Sequence, residues 1–418
     1  MSGSREVRIE KLAPTGEGIA RTAEGVGFVD GALPGELVAT TLYEMRKRFW
    51  RGSLRAVLEP SADRVDGPHA GCAGCDWAHF APGPARRAKR ELFLETMQRI
   101  GKLDPGLFGE LPIESSASQY RLRARFHVAG GRAGYYAPGT HRVVSAGACE
   151  ALSTATRALL PEVEDAIEGG AAAVSEIATL ESVDGTKRLL RATVSDDPAA
   201  AAKLGEALSL SFEGVRLRSA EGKRLLERGQ RALALTVGGR AFSVSVDSFF
   251  QGNRFLVETL FGDIAAEARK VGPGPALDAF GGVGLFAGAL LSAGHAVQSV
   301  EADAGAAADA SVTREGFEDG GRWEIGEGTL AQFLEEDDRR FDVVVADPPR
   351  SGLGAEVAGE LARRAKARLV YVSCDPATLA RDLPAILAEG FAIRAAKLYD
   401  LFAFTHRVEA LVSLERAA

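Results

Sequence analysis

The alternation of strand-like and helix-like segments after residue 250 constrains the fold of this chain more than any other feature. The apolar run GPALDAF is followed by GGVGLFAGALLSAG, a glycine turn leading into a helix, and then by a second strand, HAVQSVEAD. Two further strand-to-loop junctions follow in RFDVVVADPPRSG and ARLVYVSCDPATLARDL. Such alternation is typical of a doubly wound parallel sheet, in which ligands bind at the carboxyl ends of the strands. We therefore predict an α/β, Rossmann-like domain over residues 246–418.

The residues before this domain predict two other units. Up to residue 60, strand-sized runs are separated by turns that contain glycine and proline, which indicates a small β-barrel. Residues 61–245 have a mixed pattern and predict a central α+β domain. Within it we expect a hairpin around Gly130 and Gly131, and a helix over 84–101 that packs on the C-terminal domain.

Composition and charge distribution narrow the class of protein. No apolar run reaches the roughly 20 residues of a membrane-spanning helix, and four cysteines in 418 residues argue against a disulfide scaffold. We therefore expect a cytoplasmic protein, and we expect a monomer. The net charge is −7, yet basic residues cluster with aromatic ones in the first third of the chain, which is typical of a surface that faces RNA. The residues predicted to bind RNA are Arg46, Lys47, Arg48, Arg51, Arg121 and Arg123.

The glycine-rich turn DAFGGVG, residues 278–284, indicates a nucleotide-type ligand. Glycines allow a ligand to approach the backbone closely, and the N-terminus of the following helix favours negative charge. Glu301 closes the next strand about 20 residues later, where a carboxylate can accept hydrogen bonds from ribose hydroxyls. This pattern alone fits a nicotinamide dinucleotide and S-adenosylmethionine equally well.

The loop ADPPRSG favours S-adenosylmethionine over the nicotinamide dinucleotide. Two successive prolines fix an extended segment without amide hydrogens, so that backbone carbonyls and Asp347 are held at a strand end. Dehydrogenases have no use for such a loop, whereas methyltransferases that act on planar nitrogen or carbon centres do. An ordinary Pro-Pro turn is the structural alternative.

Cys374 lies between an apolar strand and a helix start, because Asp375 is an N-cap residue type and Pro376 a first-turn type. The nearby helix N-terminus is expected to lower the pKa of the thiol. A thiolate that adds to C6 of a pyrimidine makes C5 nucleophilic enough to accept a methyl group. A base must then remove the C5 proton, and topology favours Glu409 on the closing strand. The alternative is that Cys374 only fills the strand.

Four stretches together resemble the RNA 5-methyluridine methyltransferase family, which modifies uracil in ribosomal and transfer RNA with S-adenosylmethionine. They are SFFQGN at 248–253, the glycine loop at 278–286, DPPR at 347–350, and YVSCDP with TLARD within 371–382. The resemblance covers nearly the whole chain, because the N-terminal region resembles a TRAM domain, the RNA-binding β-barrel of these enzymes. It implies methylation of a uridine, with 23S ribosomal RNA favoured over transfer RNA as the substrate.

The resemblance also assigns roles to residues at the matching positions. Cys374 is implied to be the nucleophile and Glu409 the base. The residues implied to bind S-adenosylmethionine are Gln251, Phe280, Gly282, Gly284, Leu285, Glu301 and Asp347.

A possible metal site is one departure from the family. Members often carry a four-cysteine iron–sulfur site; Cys72, Cys75 and Cys149 match three of its ligands, but Gly67 stands at the fourth position. An iron–sulfur cluster, a zinc site and a metal-free site therefore all stay open, since a cubane cluster normally needs four thiolates. Candidates for the fourth ligand are Asp66, His69 and His79.

Further departures concern the cofactor loop and the C-terminus. Gly281 stands where a cysteine is common, and Leu285 where a polar residue often contacts the cofactor. Ala403 and Arg407 also depart from the usual sequence before the final glutamate. These changes bear on cofactor affinity and leave the class of reaction as it is.

Three other functions remain as alternatives to a ribosomal uridine methyltransferase. One is methylation of uracil in transfer RNA. Another is methylation of cytosine C5, although that family has a cysteine in an Asp-x-Pro-Cys loop, whereas this loop reads DPPR. The last is a non-catalytic RNA-binding factor on the same scaffold. The presence of both proposed catalytic residues argues against it.

Overall fold

Three large β-sheets, one after another along the chain, organise the computed structural model, which describes residues 4–67, 74–137, 140–169 and 172–417. The first sheet has six strands in the order β1-β5-β6-β4-β3-β2. Its strands are β1 (Ser4–Arg8), β2 (Lys11–Leu12), β3 (Gly18–Thr22), β4 (Gly25–Asp30), β5 (Leu37–Met45) and β6 (Phe49–Glu59). Small and β-branched residues alternate inward around the fully buried Trp50. Gly27 is required beside this ring, because a Cβ there would lie 2.1 Å from Trp50 Cζ2.

A long helix and a very short strand connect the first sheet to the rest of the molecule. Helix α1 (Pro82–Gly101) spans the segment predicted to be helical, and Phe93 and Met97 on its buried face belong to the core of the C-terminal domain. Strand β7 (Ile113–Glu114) pairs in parallel with the last-but-one strand of the C-terminal sheet. Both elements therefore pack on the C-terminal domain.

The central sheet has seven strands in the order β10-β9-β8-β11-β12-β13-β14. Its elements are β8 (Arg123–Ala129), β9 (Arg132–Tyr136), β10 (Val143–Ser145), α2 (Thr154–Gly169), β11 (Val174–Glu181), β12 (Arg188–Val194), α3 (Pro198–Leu208), β13 (Gly214–Arg218) and β14 (Arg224–Gly229). Phe126, Ile177 and Leu190 point to one face, where they form a core with α2 and α3. The opposite face carries the alternate residues of each strand.

The C-terminal sheet has eight strands in the order β19-β18-β17-β20-β21-β23-β22-β7, with β17 to β21 parallel and β23 antiparallel to both of its neighbours. Its elements, with the preceding hairpin, are β15 (Ala232–Val237), β16 (Arg240–Ser245), α4 (Val257–Arg269), β17 (Pro275–Asp278), α5 (Leu285–Ser292), β18 (Ala296–Glu301), α6 (Ala304–Glu315), β19 (Trp323–Glu327), α7 (Leu330–Glu336), β20 (Phe341–Ala346), α8 (Ala355–Arg364), β21 (Ala365–Ser373), α9 (Pro376–Ala388), β22 (Phe391–Tyr399) and β23 (Glu409–Arg416). Helices cover both faces, so the central strands are apolar throughout. The predicted α/β fold class is confirmed.

Two segments before residue 246 lie against the C-terminal sheet. The hairpin β15–β16 shares a core with α4 and α5, and α1 with β7 packs at the opposite side. We keep 1–60, 61–245 and 246–418 as proposed domain limits, with these segments joining the second unit to the third. None of the helices in the described residues is long and apolar enough to cross a membrane.

Candidate active site

Four side chains with acid–base chemistry meet at one edge of the C-terminal sheet. Asp278 ends β17, Asp347 follows β20, and Cys374 follows β21. Strand β23 runs in the opposite direction and begins at this edge with Glu409. Because Ser373 pairs with Ala410 across β21 and β23, Cys374 and Glu409 occupy the next pair of positions on these two strands. The structure therefore brings the predicted nucleophile and the predicted base together.

The ionisation of Cys374 differs from the expectation that the helix N-terminus lowers it. Burial, followed by the negative charges of Glu409 and Asp347, raises the pKa of Cys374 to about 11, and Arg350 opposes this shift. The N-terminus of α9 is already satisfied, because the Asp375 carboxylate accepts hydrogen bonds from the amides of Ala377 and Thr378. The thiol is thus protonated in the enzyme without RNA.

The two carboxylates beside Cys374 are buried and influence each other. Burial and the charge of Asp347 raise the pKa of Glu409, and burial raises the pKa of Asp347. Glu409 Oε1 has no hydrogen-bond partner within the described chain. A buried carboxyl with a raised pKa and an open lone pair is well suited to accept a proton from a bound substrate.

Gln251 is fixed by the segment that precedes it. Ser248 Oγ donates a hydrogen bond of 2.6 Å to Asp309 Oδ2, which also accepts from the amide of Ser245. Three residues later, Gln251 Nε2 donates to Asp347 Oδ2 at 2.9 Å. Gln251 therefore orients the carboxylate of Asp347, and its contact with a cofactor stays a prediction.

The glycine loop is closely packed on one side and open on the other. Gly284 has φ +94°, and a Cβ there would lie 2.0 Å from the Trp323 ring, whereas a Cβ at Gly282 would meet nothing within 4 Å. The amide of Gly282 donates to Glu301 Oε2 at 2.7 Å, so Glu301 holds the loop. Leu285 lies in the apolar core beneath the loop, which accounts for the absence of a polar residue there.

The loop and its neighbours fit S-adenosylmethionine, which carries a positive sulfonium. Asp278 is fully buried, and neither of its carboxylate oxygens accepts a hydrogen bond of ordinary geometry in the part of the chain described. Burial, with the nearby Asp347 and Glu301, raises the pKa of Asp278 to about 7, although the backbone amides of Ala287 and Phe280 act in the opposite direction. A cationic ligand with hydroxyl and amino donors would satisfy these groups. Sequence reasoning did not select Asp278, although a lone carboxylate at the end of the apolar run PALD was a usable signal.

A cavity of about 380 Å³ opens beside Cys374 between the N-terminal sheet and the C-terminal domain. Thr15 comes from the loop after β2, and Phe93 from α1. Two cations, Arg350 and Arg407, line the other side, and burial together with Arg350 lowers the pKa of Arg407. Neither arginine was among the predicted site residues, because only the folded chain places them beside Cys374.

The loop 400–408, which leads to Glu409, is bound by several segments that are distant from it in sequence. Lys89 of α1 pairs with Asp400, and the amide of Trp77 donates to the carbonyl of Phe404 at 2.9 Å. Tyr120 Oη donates to the carbonyl of Ala403 at 3.1 Å. The additional bonds are Asn253 Nδ2 to Leu401 O and a hydrogen bond between His406 and Asp76. The position of Glu409 thus depends on the whole assembly.

The residues predicted to bind RNA fall into two groups. Arg46, Lys47 and Arg48 are exposed at the turn between β5 and β6, although Arg46 pairs with Glu44 at 2.8 Å. Arg51 pairs with Glu17 and lies over the Phe28 ring. In the central sheet, Arg121 is half-buried over Tyr120, and both Arg121 and Arg123 line a basic groove. Their contact with RNA stays a prediction.

The predicted metal ligands are only partly described. Cys72 and His69 lie outside the described residues. A hydrogen bond from Cys75, with backbone contacts and Arg121, lowers the pKa of Cys149 to about 6 against the effect of burial. No three potential ligands group around a common point in the described ranges, and burial lowers the pKa of His79 to about 4. An iron–sulfur cluster therefore stays a prediction.

Comparison with known proteins agrees with this arrangement. A family model described as tRNA (uracil-5-)-methyltransferase matches residues 331–417. An uncharacterised RNA methyltransferase of Streptomyces avermitilis is 33% identical, over 100% of this chain and 99% of the relative. The 23S rRNA (uracil(1939)-C(5))-methyltransferase RlmD of Halomonas elongata is also 33% identical, over 99% of this chain and 90% of the relative.

A solved structure shares the fold along the entire chain. The tRNA (uracil-54, C5)-methyltransferase of Pyrococcus abyssi, in complex with S-adenosyl-L-homocysteine, has a TM-score of 0.78 and 19% identity, covering 98% of this chain and 99% of that one. The fold and the acidic, glycine-rich sheet edge define an S-adenosylmethionine-dependent RNA methyltransferase. With full-length relatives at 33% identity, the chain belongs to the RNA (uracil-5-)-methyltransferase family.

Proposed function

We propose that this enzyme methylates C5 of a uridine in 23S ribosomal RNA through a covalent bond between Cys374 Sγ and C6 of the base. The observation that carries the proposal is the adjacency of Cys374 and Glu409 on antiparallel strands, next to a cavity. The choice of ribosomal RNA is supported by the full-length relative named for 23S rRNA. The archaeal transfer RNA enzyme shares only 19% identity.

The chain's own residues divide the reaction between them. Asp278, Gln251, Glu301 and Asp347 would hold S-adenosylmethionine, which supplies the methyl group when bound. The Cys374 thiol passes its proton to a water molecule as Sγ adds to C6, so that electron density moves to C5 and C5 becomes the nucleophile. After C5 has gained its methyl group, Glu409 removes the C5 proton, the C5–C6 double bond re-forms, and Sγ leaves as a thiolate.

The cavity beside Cys374 is suited to a uridine taken out of its RNA stack. Its volume of about 380 Å³ lies at the low end of ordinary ligand pockets. An extruded base needs such a site, because the C6 carbon cannot be reached inside a helix. Arg350 and Arg407 would lie near the negative charge that develops on the ring after Sγ adds.

The first test follows methyl transfer and adduct formation in the full-length enzyme. We expect labelled methyl groups to enter 23S RNA transcripts, and RNA that contains 5-fluorouracil to form a covalent complex, because fluorine at C5 blocks the final proton removal. Cys374→Ala is expected to abolish both signals, since no other residue supplies the bond to C6. Transfer at the normal rate by this variant would contradict the mechanism.

The role of Glu409 is tested by Glu409→Gln. The methylated adduct is expected to accumulate, because loss of a general base slows proton removal by about 10²–10⁴-fold. Glu415→Gln, on the same strand but 44% exposed and paired with Arg368, is the matched control and is expected to release product normally.

Mapping 5-methyluridine in ribosomal and transfer RNA from cells with and without the protein decides the substrate. Loss of 5-methyluridine from transfer RNA alone would overturn the ribosomal assignment.

A further inference from the structure

The exposed part of one face of the central sheet carries an unusual row of arginines. Arg125 on β8 pairs with Ala178 on β11, Ala178 pairs with Arg191 on β12, and Arg191 pairs with Arg216 on β13. These three arginines, here called the arginine row, therefore lie side by side across four neighbouring strands. Arg123 and Arg218 share the same face, since each is two residues along its strand from a member of the row.

The small side chain of Ala178 makes the row concave. Arg125 and Arg191 stand on either side of it and line a groove of about 270 Å³ with Arg123. Neighbouring strands are about 4.8 Å apart, so the two guanidiniums are separated by roughly two strand spacings. The groove is open, whereas α2 and α3 cover the opposite face of the sheet.

The row has more positive charge than its surroundings neutralise. Asp247 contacts Arg191 at 2.9 Å and reaches Arg216 and Arg218 only at 3.6 Å. The other carboxylates in ion-pair contact, among the described residues, are Glu176 and Glu227. Five arginines on this face thus share three carboxylates. Burial and the charges of Arg125 and Arg191 lower the pKa of Arg123 to about 10, as expected where cations are crowded.

Such crowding of positive charges lowers the stability of the fold unless a bound anion compensates for it. Like charges at directly opposed strand positions are destabilising, and Arg191 and Arg216 are directly opposed. The chain as a whole has a net charge of −7, so a basic surface here is a local feature. The planar guanidinium binds phosphate oxygens through two parallel hydrogen bonds, which makes arginine suitable for a phosphodiester backbone.

The groove also borders the chain segment that continues to Gln251. Val246 and Asp247 form one side of it, and the chain then continues through Ser248 to Gln251, which contacts Asp347. A nucleic acid strand bound along the groove would therefore lie beside the segment that carries the cofactor-binding glutamine. We propose that the arginine row, with Arg123 and Arg218, binds the phosphodiester backbone of the RNA substrate. This inference rests on the proposed RNA methylation and locates the part of the RNA that flanks the target uridine.

The test measures binding of the full-length enzyme to a fluorescent 20-nucleotide oligouridylate at several salt concentrations. Arg125→Ala with Arg218→Ala is the variant, because these side chains are 66% and 39% exposed and make ion pairs of only 3.6 Å. We expect the dissociation constant to rise about tenfold. We also expect the slope of log K against log salt to become smaller by about 0.7 for each phosphate that the variant no longer neutralises.

Two matched variants separate charge from structure. Arg125→Lys with Arg218→Lys keeps the charges and is expected to keep most of the salt slope. Arg363→Ala removes a 51% exposed arginine on α8, a helix of the C-terminal domain. This variant is expected to bind the oligouridylate as the native enzyme does. Unchanged affinity and slope in the alanine double variant would overturn the proposal.

A second measurement uses the unaltered enzyme. Arginine modification by a phenylglyoxal reagent is mapped by mass spectrometry with and without the oligouridylate. We expect protection of Arg125 and Arg218 but not of Arg363; equal modification with and without RNA would overturn the proposal. Neither measurement requires methyl transfer. If the enzyme binds RNA at the arginine row but does not methylate it, only the proposed function is refuted. If the enzyme methylates RNA but the alanine double variant binds with unchanged affinity and salt slope, only this inference is refuted.

Discussion

At the scale of single residues, the ionisation of Cys374 links the structure to the chemistry. Burial, followed by the charges of two carboxylates, raises its pKa to about 11, and the cation Arg350 opposes this shift. At pH 8 a thiol with this pKa is ionised about 100 times less than one with a pKa of 9. At neutral pH the Cys374 thiol is therefore mostly protonated in the enzyme without RNA, which slows its alkylation by other electrophiles.

This residue-scale reasoning predicts a pH profile. Alkylation of Cys374 by iodoacetamide, followed by mass spectrometry of its peptide, is expected to accelerate with pH up to and beyond pH 10. The negative charge of Glu409 raises the pKa of Cys374, so Glu409→Gln is expected to lower that pKa and to move the profile to lower pH. Glu415→Gln should leave the profile in place. A shift to higher pH in Glu409→Gln would show that the charge of Glu409 does not control the thiol.

At the scale of elements, the turn between β17 and α5 depends on Gly284. Gly284→Ala would force a Cβ to 2.0 Å from Trp323 at φ +94°. Overpacking and backbone strain each cost about 1–3 kcal/mol, so we expect the free energy of unfolding to fall by about 3 kcal/mol or more, measured by denaturant titration. Gly239→Ala is the control, because it has φ +72° but meets nothing within 4 Å; a loss there as large as at Gly284 would mean that strain alone, without the clash, accounts for the effect.

The elements also explain how much the sequence could predict. Buried parallel strands such as β20 read as continuous apolar runs, and glycine or proline ends each one, so the α/β domain and its edge residues were predictable. Cys374 and Glu409 could be expected at the same edge, because the start of an antiparallel closing strand lies beside the carboxyl ends of the parallel strands. The two-residue β7 has no sequence signal, and its pairing with β22 depends on tertiary packing.

Other features of the site depend on contacts between distant segments. The raised pKa of Cys374 comes from the joint burial of residues 347, 374 and 409, which no local pattern reports. The arginine row needs the strand order β8-β11-β12-β13, in which β12 and β13 are parallel neighbours. In the sequence, Arg191 and Arg216 lie in separate segments, and no motif relates one to the other. Candidate cofactor, catalytic and RNA-binding residues, Arg121 and Arg123 among them, could therefore be proposed from the sequence, whereas the arginine row depends on the strand order.

At the scale of the whole molecule, the N-terminal sheet is joined to the loop that carries Glu409. Trp77 Nε1 donates to the carbonyl of Gly16 at 2.9 Å, and the Trp77 amide donates to Phe404. Trp77 lies between the two and is 2% exposed. The N-terminal sheet therefore supports the active site structurally, apart from any contact it makes with RNA.

Removing this connection gives a whole-molecule prediction. In Trp77→Phe the carbonyl of Gly16 loses its buried donor, at a cost of about 1–3 kcal/mol. We expect faster amide hydrogen exchange both in residues 13–17 and in residues 404–408. Trp50→Phe removes an indole bond to Thr22 inside the N-terminal sheet and is expected to leave 404–408 unchanged. Equal exchange of 404–408 in Trp77→Phe and the native enzyme would contradict the structural link.

Strand β7 has a consequence for any attempt to work with the C-terminal half alone. Its two residues occupy the outer hydrogen-bonding groups of β22 at Leu398 and Tyr399, directly across from the start of β23. A fragment that begins after residue 114 would leave these groups unpaired and offer a template for a second copy to add a strand. Such a fragment would tend to self-associate at the sheet edge beside Glu409, so enzymological work requires the intact polypeptide.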